Sequence, residues 1–270
     1  MGRRRALLSL LLAALIVGGW PGPISAGAPD LLATARRLYN EGKLDAAFAA
    51  AREAANNPSH ASSARLVMGR IHLERHRQDA TPGELEYART ELRAVDARAL
   101  DQRERIELQV GLAALLYYEE HFGVAAELLD PLVDASATLA SDAHERALDW
   151  WATALDRQAQ TSTDRVAAFV RISERMEQEL KRDPVSIPAN YWLAASVRAA
   201  GDLDRAMAAA SAGWIRATLL ADRGNALRAD LDRLVTQAVI PDRAARLPQR
   251  ERRQALATMT TEWENFKKIW

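Results

Sequence analysis

Cysteine is absent from all 270 residues, which removes disulfide staples, thiolate metal sites and nucleophilic thiol chemistry together. Aromatic residues are scarce, at 6% of the chain. That disfavours β-sandwiches, which draw on aromatic and β-branched residues in short alternating runs. Neither sign of charge is in excess, since 36 basic side chains face 36 acidic ones. The basic face that nucleic acid demands therefore has no support in the composition. What is abundant is alanine, the main contributor to an apolar set of 49%. A chain of this length buries a sizeable core without metals or disulfides, and alanine-rich chains do so with closely packed helices.

Long apolar runs are also missing, except at the start. Arg3, Arg4 and Arg5 precede an uninterrupted run from Ala6 to Val17, which Gly18, Gly19, Pro21 and Pro23 break before Ile24-Ser25-Ala26. Residues 1–26 read as a cleavable export signal, with small Ala26 at the cleavage point. The run is too short to span a bilayer comfortably; an uncleaved anchor is the alternative. A lipoprotein anchor is excluded because no cysteine follows. The expected location is periplasmic or secreted, with no stable membrane insertion after signal cleavage.

From Pro29 onward apolar residues recur at three- and four-residue spacing, and no stretch alternates with period two. Gly42, Pro58, Pro82, Pro131, Pro184, Pro188, Gly201, Gly224, Pro241 and Pro248 are read as breaks between apolar runs or at their ends. Thr81-Pro82-Gly83-Glu84 and Asp101-Gln102-Arg103-Glu104 each place a capping oxygen three residues before a glutamate. The pattern predicts an all-α fold of about a dozen helices, most roughly 12–20 residues long.

Adjacent helices share an internal pattern. Ala33, Arg36, Leu38 and Tyr39 lead into Gly42-Lys43-Leu44-Asp45-Ala46-Ala47, followed by Ala51, Ala54 and Pro58. Gly201-Asp202-Leu203-Asp204-Arg205-Ala206 repeats the turn, and Gly83-Glu84-Leu85-Glu86-Tyr87-Ala88 does so after a longer loop near His76 to Pro82. A more degraded copy runs through Gly111, Ala114, Phe122, Val124, Ala125 and Leu129. Glycine permits positive φ where the first helix ends, a large apolar residue two later fills the seam, and alanine three beyond lets the backbones approach. This Gly-x-Leu-x-x-Ala turn resembles the tetratricopeptide repeat, whose period is about 34 residues. The resemblance implies a right-handed α-α superhelix, a TPR-like solenoid of antiparallel helix pairs over residues 27–220. Residues 221–270 would form an atypical C-terminal helical cap. Segments 142–182 and 214–270 lack the motif.

No catalytic constellation is evident. His72 and His76 lie four apart, a spacing that can grip a metal, but Leu73 stands where a zinc protease needs glutamate and no third ligand is near. Packing or capping is the favoured role for both histidines, so no metal or other cofactor is expected. Neither a nucleophile elbow, a phosphate loop nor a dinucleotide glycine pattern occurs in residues 27–270. An enzyme is not expected.

In TPR-like superhelices the first helix of each pair lines the concave groove, which makes Tyr39, Trp150, Trp151, Tyr191 and Arg198 possible groove residues for a partner or ligand. Trp150-Trp151 and Tyr191-Trp192 put neighbouring rings about 100° apart on a helix, so one ring of each pair can pack inward while the other faces out. Core packing is the competing role for these rings. Trp263, Phe266 and Trp270 form one helical stripe, read either as a cap over the last pair or as a docking helix. The stretch from Arg243 to Arg253 is the single basic cluster, diluted by Asp242 and Glu251, and reads as a solvated linker and helix start. The expected function is a protein–protein interaction scaffold or adaptor of the bacterial cell envelope, holding a partner segment in its groove. The alternative is a periplasmic ligand-binding component of a transport system.

Overall fold

The computed structural model describes residues 30–81, 83–136 and 141–270, and among these there is no strand. The reading of residues 1–26 as an export signal lies outside the described residues. Two compact units divide the chain at residues 138 and 139. Among the described residues of the first are α1 (Leu31–Asn40), α2 (Leu44–Ala54), α3 (Ala61–Asp79), α4 (Glu84–Arg93), α5 (Gln102–Tyr118) and α6 (Phe122–Ser136). The second contains α7 (Ser141–Thr161), α8 (Arg165–Arg182), α9 (Ile187–Ala199), α10 (Leu203–Arg216), α11 (Asp222–Leu234), α12 (Ile240–Ala245) and α13 (Gln249–Ile269).

Helices pack with their sequence neighbours, as short connections require. In the first unit α1 pairs with α2, α3 with α4 and α5 with α6; α3 also touches both α1 and α5. In the second, α7 pairs with α8 and α9 with α10, while α9 also touches α7 and α11. The first helices of successive pairs therefore form a layer within each unit.

Three of the turns inside pairs are built alike. Gly42, Glu120 and Gly201 all adopt positive φ, at 72°, 64° and 98°. The next residue in each case donates its N–H five residues back: Lys43 to Leu38 O, His121 to Leu116 O, Asp202 to Val197 O, at 3.0, 2.8 and 3.0 Å. This is the Schellman closure, which satisfies carbonyls the helix end would leave bare. The second helix then opens on Leu44, Phe122 or Leu203, and its fourth residue is Ala47, Ala125 or Ala206, all three fully buried. In the most degraded sequence copy, glutamate thus performs the backbone role of glycine.

The α3–α4 turn departs from this scheme. Helix α3 continues through His76 to Asp79, so the connection is shorter than the sequence suggests, and the N-cap of α4 is Gly83 rather than Thr81. The helix begins one residue after its glycine, not two. Glu84 consequently takes the buried seam position and Leu85 is only half-buried, while Ala88 stays fully buried. The Glu84 carboxylate is satisfied there by His72 Nδ1.

Three expected breaks lie within helices. Pro131 sits inside α6, where its missing N–H costs one ladder bond. Gly224 lies in the first turn of α11, where a Cβ would stand 2.0 Å from the Ala217 carbonyl oxygen. Pro241 follows a π turn, Val235–Val239, through which α11 runs on into α12. The looser i→i+5 turn accommodates a residue that cannot donate to the ladder. Asp101 and Glu104, by contrast, form the capping box that their spacing predicts, with both reciprocal bonds made.

Candidate functional site

The layer of first helices in each unit concentrates the polar side chains that a soluble helix normally sends to water. In the first unit α1, α3 and α5 bring together Arg36, Tyr39, Asn40, Val67, Arg70 and Arg103 around a small cleft closed by Glu107. Tyr39 is buried, and the Arg70 guanidinium lies 4.7 Å from its ring centroid. Burial pushes the Tyr39 hydroxyl up to about 12, against the lowering influence of Arg70. Arg70 also donates to Glu107 at 2.7 Å, and Arg36 reaches Glu104. One turn further along α3, Arg77 binds Glu74. This face is a lattice of matched charges, because carboxylates taken out of water need cations beside them.

In the second unit most carboxylates are matched in the same way, and one has a neutral partner instead. On α7, Asp149 accepts a 2.7 Å bond from the Trp192 indole Nε1–H of α9. Burial raises the Asp149 carboxyl above the usual carboxylate range, and the negative charge of Asp230 on α11 adds to that rise. Asp230 is also raised, by burial and in spite of Arg233 three residues on. An ion pair between Glu145 of α7 and Arg223 of α11 runs alongside. Both α7 and α11 pack on α9, and the Glu145–Arg223 pair ties them to each other.

The expected groove residues are spread across this frame. Tyr39 lines the cleft of the first unit. Trp150 and Trp151 are both buried, at 8% and 1% exposure. The expectation that one of the two rings faces outward is corrected: α7 packs against α8 on one side and α9 on another, so positions 100° apart are both covered. Tyr191 is half-buried and meets Trp192 edge to face at 5.4 Å. Arg198, on α9, binds Asp242 of α12 at 2.7 Å.

The C-terminal stripe divides along its length. Trp263 is buried and donates its Nε1–H to Asp232 at 2.8 Å; Phe266 stacks on it at 5.4 Å, and Trp214 of α10 meets it edge to face. Trp270 is 56% exposed. The basic stretch is occupied in joining segments: Arg243 binds Asp204, and Arg246 donates to the Gly201 carbonyl. His72 sits between the Phe48 and Tyr87 rings and His76 against Tyr118, so the two do not converge on a common point. Among the described residues no three His, Cys, Asp or Glu side chains are grouped to hold a metal. Nor is any helix there long and apolar enough to cross a membrane.

Sequence reading missed the acidic members of these faces. Glu84 and Glu104 are recognisable from capping patterns, though Glu84 turns out to fill a seam instead, but Glu74, Glu107, Asp149 and Glu179 look like ordinary solvated helix residues. Their only signal is position: each falls on the apolar side of its helix pattern or beside it. No protein-family model matches the chain, and neither the curated proteins nor the solved structures include a significant match.

Proposed function

We propose that this chain is a non-enzymatic interaction scaffold of the bacterial cell envelope, exported by its N-terminal segment. Its first-helix faces hold a segment of a partner protein. The finer architectural reading, a TPR-like right-handed superhelix, is proposed for the helix pairs within each unit. The observation carrying it is the threefold recurrence of one turn: positive φ, Schellman closure, large apolar residue, buried alanine. Equivalent turns make equivalent pairs, and stacked equivalent pairs repeat one face, the arrangement on which repeat proteins bind extended partners. The cleft on α1, α3 and α5 is small and lined by Arg36, Tyr39, Arg70 and Glu107, which suits a side chain of an extended partner better than an engulfed small molecule.

Affinity capture from envelope extracts with the chain from residue 27 onward tests this. A single stoichiometric protein is expected. If no protein is retained while one small metabolite raises the melting temperature substantially, the transport-component reading replaces it.

A further inference from the structure

Arg36, Arg70 and Arg103 lie 34 and 33 residues apart, one on each of the first helices α1, α3 and α5, and all three line one cleft. A guanidinium recurring on three successive first helices belongs to the layer and not to a single helix. Among the described residues, Glu107 is the one carboxylate lining that cleft. It accepts from Arg70 at 2.7 Å and from Arg103 at 3.1 Å, while Arg36 turns to Glu104.

The same cleft holds a polar group that the chain itself leaves unsatisfied. Tyr39 is only 5% exposed, and its hydroxyl is buried with no aligned hydrogen-bond partner, although Arg70 lies against its ring. A buried hydroxyl in this state is costly and uncommon, which points to a group that completes it. The Arg70 side chain, 15% exposed, makes one aligned hydrogen bond, from Nη1 to Glu107. The rest of its five donors remain for the cleft. Forked guanidinium donors beside a hydroxyl are the combination that holds a planar oxyanion, and they repel cations.

We infer that this cleft is a carboxylate subsite, in which Arg70 and the Tyr39 hydroxyl donate to the ligand and half-buried Arg36 and Asn40 stand beside them. Glu107 already places a negative charge there, so a singly charged carboxylate fits better than a doubly charged phosphate. This deepens the scaffold reading and rests on it in one respect: the carboxylate is an Asp or Glu side chain of the partner segment. A free carboxylic acid has the same head group and is distinguished by the test.

Isothermal titration of the full chain at low ionic strength uses tetraglutamate, sodium acetate, inorganic phosphate and tetralysine as probes. Tetraglutamate binding that weakens as salt rises is the expected result, with no binding of tetralysine. Tyr39→Phe removes only a hydroxyl that has no partner in the free chain, so the melting temperature should hold. Tetraglutamate is nevertheless expected to bind about tenfold more weakly, as loss of a hydrogen bond to a charged group implies. Arg70→Lys keeps a cation beside Glu107 but loses the fork, and should weaken binding by a similar factor. Tyr118→Phe removes another buried, unpartnered hydroxyl, one outside the cleft, and should leave binding unchanged. Tetraglutamate that fails to bind, or binds equally to the Tyr39→Phe and Arg70→Lys variants, would overturn the subsite. Acetate binding as tight as tetraglutamate would overturn the assignment to a partner side chain, and a preference for phosphate would overturn the carboxylate. The scaffold reading fails separately. A captured partner that both variants retain removes the subsite and leaves the scaffold; carboxylate binding that both variants weaken, with no captured protein, removes the scaffold and leaves an anion site.

Discussion

Glu120 holds φ at 64° on an exposed surface, where its N–H bonds to Tyr117 O. A left-handed conformation costs an L residue roughly 1–2 kcal/mol that glycine does not incur. Glu120→Gly is therefore expected to stabilise the chain by up to about 1 kcal/mol, after the extra unfolded-state freedom of glycine is subtracted. Denaturant unfolding checks it, and a destabilised variant would remove α5–α6 from the set of equivalent turns. Gly224 tests the opposite case. Glycine to alanine inside a helix ordinarily gains about 0.5–1 kcal/mol, yet here the methyl would collide with the Ala217 carbonyl. Gly224→Ala should lower the melting temperature; a rise would show that the short 3-10 turn Ala217–Leu220 and α11 can move apart freely. Ala206, fully buried against Val197 and Val239, should tolerate leucine only at about 1–3 kcal/mol, the usual cost of overpacking a filled seam.

At the scale of single elements, α13 is the most weakly held. Of its 21 residues Trp263 alone is buried, and much of its attachment passes through Asp232, which accepts from Trp263 Nε1 and from Lys267 Nζ at 2.6 Å. Partial burial pushes the Asp232 carboxyl up, but the bonds from Lys267 and Trp263 outweigh it and leave the group below its ordinary value. A carboxyl lowered by folding contributes stability above the unfolded-state value, and loses that contribution as pH falls through its folded value. Docking of α13 is thus expected to loosen as pH drops below about 4. Asp149 and Asp230 are raised and titrate with the opposite sign, so a global melt mixes the two effects. Hydrogen exchange of α13 amides isolates the local one: protection should fall on acidification, and Asp232→Asn should show the loss already at neutral pH. Unchanged protection in both would mean that Trp263 packing alone secures the helix.

For the molecule as a whole, the legible part of the sequence was its punctuation. Gly42 and Gly201 mark turns, Asp101 and Glu104 mark a cap, and the three- and four-residue apolar spacing marks helices, because each is a local matter of backbone geometry. What stayed hidden depends on which elements meet. Trp150 and Trp151 are both covered because α7 has two neighbours. Pro131 and Pro241 stay within helices because packing and a π turn absorb the missing bond. The acidic residues of the first-helix faces acquire meaning only when α3, α5, α7 or α11 brings a cation, or withholds one. The matching of charges on α1–α3–α5, and the bond from the Trp192 indole to Asp149 between α9 and α7, are properties of each assembled unit.

The central claim is that the first-helix faces, and not the outer helices, hold the partner. Affinity capture with two double variants tests it most directly. Arg36→Gln with Asp230→Asn alters the faces on α1 and α11, and Arg52→Gln with Lys181→Gln alters exposed positions on α2 and α8. At equal melting temperature, the first is predicted to lose the captured protein and the second to keep it. Capture kept by the first and lost by the second would contradict the account.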